Sequence, residues 1–142
     1  MGGLSGFLKQ NAVKVENEKI VASKRFLDGG KKPILWEITC ISPAQDEEIR
    51  RECTKRVPVP GKKGQFLAEV DADLYMGRLA AVCTVFPDLN DRELQDSYGV
   101  MGADCLLKTM LTPGEYAEYL NRVQALNGFD VTMDEAVEQA KN

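Results

Sequence analysis

Histidine is missing from all 142 residues. Its absence excludes Ser-His-Asp and Cys-His nucleophiles and every metal site built on imidazole. Cysteine is sparse: Cys40, Cys53, Cys83 and Cys105 lie 13, 30 and 22 residues apart, with no Cys-x-x-Cys pair. A thiolate zinc site is therefore not expected, and neither is any other cofactor. The apolar neighbours of these thiols (Ile38 and Ile41, Ile49, Val82 and Val85, Leu106) predict small buried hydrophobes in a reducing compartment. No stretch approaches the roughly 20 apolar residues of a membrane span. The opening Met1-Gly-Gly-Leu-Ser-Gly-Phe-Leu8 lacks the basic region and long apolar run of a secretion signal, which predicts a cytoplasmic protein with no membrane partner.

What the chain does have is charge, unevenly spread. Residues 1–66 hold 13 Lys/Arg against 8 Asp/Glu, while residues 67–142 hold 5 against 14, within an overall net charge of −4. Such asymmetry can be neutralised inside the fold, can drive head-to-tail association into a homo-oligomer, or can offer a basic face to an acidic partner, and the sequence leaves all three open.

Hydrophobic periodicity and punctuation predict the elements. A strand is expected near Lys19–Ser23 and a second over Ile34–Ile41, with Ile34, Trp36, Ile38 and Cys40 on one face and the turn supplied by Asp28-Gly-Gly-Lys-Lys-Pro33. A lone hairpin is marginal in water, so it must pack on helices, recruit Val13–Val15 as a third strand, or pair with another chain. Ser42, Pro43 and Gln45 open a helix as N-cap, N1 and N3, with Ile49, Cys53 and Val57 as its inner face. Val57-Pro-Val-Pro-Gly-Lys-Lys-Gly64 reads as an exposed loop. Asp71 or Asp73 caps a helix running to about Phe86 with Tyr75, Leu79, Val82, Cys83 and Phe86 on its stripe. Asn90–Glu93 starts a short helix ending near Tyr98-Gly99, and Gly102–Leu111 forms another. Thr112-Pro-Gly-Glu115 is a capping box for a helix that stops at Asn127-Gly128, and Thr132-Met-Asp-Glu135 is a second box opening a final helix. The prediction is an α+β, mainly α-helical fold in a single domain, 1–142. An N-terminal β-hairpin over about 13–41 packs against five or six helices over about 43–142, and an exposed Pro/Gly/Lys loop covers about 57–65.

The candidate chemistry is that of a surface rather than a reaction. The carboxylate pairs Asp71/Asp73 and Asp88/Asp91 sit where helix N-caps are needed, which accounts for them without a metal. Pro60-Gly-Lys-Lys-Gly-Gln65 fails as a phosphate loop, because its first glycine is misplaced and no Ser or Thr follows the lysine. The cluster Arg50, Arg51, Lys55, Arg56, Lys62 and Lys63 could track a phosphate backbone. It lacks interleaved aromatics apart from Phe66, though, the chain's pI is near 5.0, and Glu47, Glu48 and Glu52 lie within helical reach of the arginines, so a solvated face is the first reading, an acidic or polar protein partner the next and nucleic acid the weakest. Ser97-Tyr-Gly-Val-Met-Gly102 combines glycines with an aromatic and a methionine, the composition of an adaptable contact loop. The candidate contacts are Tyr98, Val100 and Met101 there, Leu106, Leu107 and Met110 beside it, and Lys62 and Lys63 in the basic loop.

Taken in order, Ala22-Ser-Lys-Arg-Phe26, Trp36-Glu-Ile38, Arg51-Glu-Cys-Thr-Lys-Arg56, Val59-Pro-Gly61, Leu94-Gln-Asp-Ser-Tyr-Gly-Val-Met-Gly102 and Met110-Leu-Thr-Pro-Gly-Glu-Tyr116 resemble the XkdN-like tail assembly chaperones of PBSX-type prophages and contractile-tailed phages. The resemblance extends through Asn127-Gly-Phe-Asp130 and covers nearly the whole chain. It implies a non-enzymatic protein of the host bacterial cytoplasm that binds the tape measure protein, keeps it soluble, and gives way to the tail tube protein. The rival readings are a structural tail component and a nucleic-acid or phosphate-binding module using residues 50–63.

Overall fold

The structure is a computed structural model and describes residues 3–129. The final helix expected from Thr132 lies outside the described residues.

Local punctuation places the helices. In α1 (Pro43–Glu52) the Ser42 hydroxyl accepts from the Gln45 amide and the Gln45 side chain accepts from the Ser42 amide, closing the expected box. Asp71 caps α2 (Ala72–Cys83) and Asp91 caps α3 (Arg92–Ser97), so a carboxylate of each suspected metal pair satisfies a helix terminus. The helix α4 (Ala103–Met110) follows Gly102, and α5 (Pro113–Leu126) opens on the Thr112–Glu115 box. Both α3 and α5 end in a Schellman turn: Gly99 and Gly128 take φ +66° and +89°, and the following amides, Val100 and Phe129, reach back to the carbonyls of Gln95 and Gln124. A 3₁₀ turn at Leu4–Phe7, not anticipated from sequence, precedes the first strand.

The strands depart further from expectation, because they are spread along the chain rather than confined to its N-terminal part. The first two, β1 (Glu18–Ile20) and β2 (Trp36–Ile38), pair antiparallel with Ile20 opposite Trp36. The strand predicted over Ile34–Ile41 shrinks to three residues because its flanks bond elsewhere. The Ile34 amide donates to Phe26 O at 2.8 Å, and the Ile41 amide donates to the Asn127 side chain at 2.9 Å. The third strand of this sheet is not Val13–Val15 but β5 (Thr84–Phe86), a segment following α2. The helical stripe expected to reach Phe86 therefore stops at Cys83. Pro87 disfavours helical backbone at Phe86, Thr84 and Val85 are β-branched, and Val82 and Phe86 turn outward.

The second sheet flanks the expected loop, which is kept as an exposed turn over residues 59–65 and loses only its first two residues to a strand. The strands β3 (Thr54–Pro58) and β4 (Phe66–Val70) form an antiparallel hairpin with Val57 opposite Leu67, so Val57 belongs to a strand and not to the inner face of α1. Pro58 sits at the end of its strand, where a missing N–H is tolerated, and Gly61 and Gly64 at φ +76° and +77° make the turn.

The core gathers around α2, which packs on α1, α4 and α5. Leu79, Ala80, Cys83, Leu106, Leu107, Tyr119 and Val123 cluster with Trp36 and Ile38 from the inward face of β2. Tyr119 meets Trp36 edge-on, with ring centroids 5.4 Å apart, and exchanges a 2.5 Å hydrogen bond with the Thr84 hydroxyl. Gly77 permits the close approach of α4 and α5 to α2: a Cβ there would stand 3.2 Å from the Tyr116 hydroxyl and 3.3 Å from Lys108 Cε.

Candidate partner-binding surface

The loop 97–102 is braced rather than free. Gln95 donates from its amide to Leu89 O at 2.8 Å and accepts from the Gly102 amide at 3.1 Å, so one side chain clamps the loop to both neighbouring segments. Sequence reading missed Gln95, since a glutamine on a short helix gives no signal of where its amide will reach. On this frame Tyr98 and Val100 are half-buried against the core, while Met101 is 89% exposed. Leu106, Leu107 and Met110 are placed differently. Leu106 and Leu107 are fully buried and Met110 nearly so, holding α4 on α2, so this conformation does not offer them to a partner. Cys105, next to that inward stripe, is exposed, which corrects the expectation that all four thiols are buried; Cys40 is half-buried, and Cys53 and Cys83 are buried. Burial pushes the Cys83 thiol up to about 11.

Lys62 and Lys63 lie at the tip of the β3–β4 hairpin, whose strands contain no buried residue. The six basic residues of the cluster are divided by the fold. Arg50 pairs with Asp46 at 2.9 Å, Arg51 with Glu48 at 2.8 Å and Lys55 with Asp71 at 3.8 Å, while among the described residues Arg56, Lys62 and Lys63 form no ion pair. Arg56 stacks on Phe66 instead, 5.0 Å from the ring centroid. Half of the supposed phosphate-tracking surface is thus spent on intramolecular pairs, and the free charge is concentrated on one projecting arm.

A further polar cluster ties α1 to α2. Tyr75 donates its hydroxyl to Asp46, and Arg50 donates to Asp46 and, at 3.2 Å, to the Tyr75 hydroxyl while covering that ring at 4.5 Å. Burial, then the Asp46 carboxylate, pushes the Tyr75 phenol up to about 12. Burial acts to raise Asp46, but the hydrogen bonds from Tyr75 and Arg50 outweigh it and the carboxyl is lowered. The three side chains bond one another, which suits a clamp. Asp46 also lines a cavity of about 330 Å³ with Cys40, Ile41, Ser42, Leu79 and Phe129, and among the described residues it is the one ionised group there. Two more fasteners escaped sequence reading: Arg25 donates to the Met110 carbonyl at the end of α4 and to Glu115, and Asn127 bonds Ile41, Val123 and Cys83.

A second concave feature is apolar. Phe26, Ile34, Trp36, Phe86, Pro87, Leu94 and Met110 line a hollow of about 140 Å³ beside β5. Leu94 of this lining and Tyr98 stand one helical turn apart.

The α+β body thus carries a projecting basic hairpin and an exposed methionine at the 97–102 loop. Residues 4–141 match the family model described as phage XkdN-like tail assembly chaperone protein, and the chain belongs to that family. It is similar to the XkdN protein of the phage-like element PBSX of Bacillus subtilis strain 168, with 29% identity over 140 residues that span 98% of this chain and 93% of XkdN. The YqbN protein of the same strain is 30% identical over equal spans. A crystal structure of YqbN aligns with a TM-score of 0.76 at 27% identity, covering 92% of this chain and 99% of that one.

Proposed function

We propose that this chain acts on the tape measure protein of its phage or prophage, holding that long helical polypeptide soluble and extended in the host bacterial cytoplasm until tail tube protein assembles around it. The family match over residues 4–141 carries the reading. Physical chemistry supports it: a long helical chain awaiting assembly exposes apolar stripes that aggregate unless covered, and helix-in-groove contacts cover such stripes. The surface suited to this is the Tyr98–Val100–Met101 ledge with the adjoining apolar hollow, where Met101 is an adaptable anchor free of any packing duty. Leu106, Leu107 and Met110 serve it indirectly, by fixing α4 beneath the ledge. No catalytic step belongs to this role, and no helix among the described residues is long and apolar enough to cross a membrane.

The test is capture of the tape measure protein by immobilised chain. Met101→Asp is expected to reduce capture about tenfold or more, as a charge set against an apolar contact does, while leaving the melting temperature unchanged. Equal capture by wild type and Met101→Asp would remove the ledge from the account, and no capture by folded wild type would remove the proposed partner.

A further inference from the structure

We propose that the outer edge of β4 takes up an extended, acidic segment of a partner protein as a third strand of the β3–β4 hairpin. The proposal goes beyond the tape measure reading and concerns a different part of the molecule.

The register fixes which backbone groups are left over. At the two ends of the hairpin the Val59 amide donates to Gln65 O at 3.0 Å and the Asp71 amide to Cys53 O at 2.9 Å. Hydrogen-bonded pairs recur at every second position of an antiparallel ladder, so Val57 with Leu67 and Lys55 with Glu69 are the pairs that exchange bonds between the strands. The intervening residues turn their backbone groups outward: Thr54, Arg56 and Pro58 on the β3 side, Phe66, Ala68 and Val70 on the β4 side. Among the described residues the backbone groups of these last three meet no partner on that edge.

The two edges are not alike. Lysine and proline are what proteins place on a strand edge to keep other chains off it. The β3 strand has both, Lys55 and Pro58, and Pro58 offers no donor. The β4 strand, Phe66-Leu-Ala-Glu-Val70, has neither, and all five of its residues are exposed. A two-stranded sheet is marginal in water, and a third strand along this edge would cover part of Phe66 and Leu67, which are 52% and 61% exposed. Donors and acceptors alternating at strand spacing are matched by another peptide backbone, whereas the phosphates of DNA bring acceptors alone, so the edge favours a protein over a nucleic acid.

Charge selects the segment. From Thr54 to Ala68 the chain carries Lys55, Arg56, Lys62 and Lys63 and no acid. Lys55 is held by Asp71, whereas Arg56, Lys62 and Lys63 form no ion pair among the described residues. Arg56 leans over the Phe66 ring, which carries its guanidinium to the β4 side, and the two lysines stand in the turn that leads into Phe66. The cations therefore gather at the Phe66 end of the open edge, and the exposed Glu69 marks the other end. An incoming strand with carboxylates at the turn end and uncharged residues beside Glu69 answers both.

Fluorescence anisotropy of a short labelled peptide alternating glutamate and valine, titrated with the full chain, tests this. The peptide is expected to bind, and the same peptide N-methylated along its backbone to bind about tenfold or more weakly, because it keeps the charge and cannot complete the ladder. Hydrogen exchange at the Phe66, Ala68 and Val70 amides should slow in the complex. Two variants each weaken binding about tenfold or more: Ala68→Pro, which deletes the central outward N–H and none of the bonds to β3, and Lys62→Glu/Lys63→Glu, which reverses the charge at the turn. No binding by wild type, equal binding of the N-methylated peptide, or single-stranded DNA that binds as tightly as the peptide would each overturn the proposal. So would light scattering in which Ala68→Pro lowers the mass of the chain alone, since that gives the edge to a second copy. Circular dichroism establishes that each variant is folded; should Ala68→Pro fail to fold, the N-methylated peptide on wild type removes the same bonds from the other side and decides.

Discussion

Leu107→Ala separates the core of this protein from its contact surface. Leu107 is fully buried in the middle of α4, among side chains contributed by α2 and α5 and by β2, and these elements are pinned by caps and by Arg25 at the α4 terminus. The surroundings cannot collapse into the space left by the lost isobutyl group, so both the transfer and the cavity contributions apply, for a loss of about 3 kcal/mol. In a chain of this size each kcal/mol moves the melting temperature by about 4 °C, which gives a fall of about 12 °C. Met101→Ser, on the exposed ledge, should stay within about 2 °C of wild type. Thermal melts followed by circular dichroism measure both. A Leu107→Ala protein that melts within about 2 °C of wild type yet loses its partner would refute the reasoning, because it would put Leu107 on a free face of α4.

Other consequences follow from the same packing. Gln95→Ala removes the side-chain bond to the Gly102 amide together with the tie to Leu89, and hydrogen exchange at the Gly102 amide should accelerate while the α5 amides keep their protection. Thr112→Ala removes the α5 cap and half of its box, and chemical denaturation should show a loss of about 1 kcal/mol. Tyr75 prefers its neutral form when folded, so its contribution is complete below the ordinary phenol value near 10 and is lost as pH climbs toward about 12. Asp46 is lowered, so its contribution is present above the ordinary carboxylate range and is lost as pH falls through the folded value. Denaturation midpoints across both windows check the two signs, and Tyr75→Phe should reduce the alkaline loss, leaving the part due to the raised Cys83 and Tyr119.

What could be read from residues alone was whatever is decided within one helical turn. Both complete capping boxes, the Asp71 and Asp91 caps and the Asn127-Gly128 stop are local hydrogen-bonding arrangements, and they formed where their residue types stood. The short strands were not legible in this way. Three residues such as Thr84–Phe86 have no preference strong enough to declare themselves and become a strand only because β2 lies alongside, and the Thr54–Val70 hairpin was obscured by prolines and lysines that read as loop. The candidate contacts divided for a related reason. A stripe such as Leu106, Leu107 and Met110 states that a helix face must be covered but not by what, and here its own α2 covers it. Met101, Lys62 and Lys63 stand in solvent.

The central claim is that the chain holds the tape measure protein in a soluble state. Co-expression of the two, followed by fractionation and size exclusion, tests it directly. The account predicts that the partner moves from the pellet to the supernatant and elutes with this chain. A partner that stays insoluble or elutes alone, while this chain is folded and abundant, would contradict it.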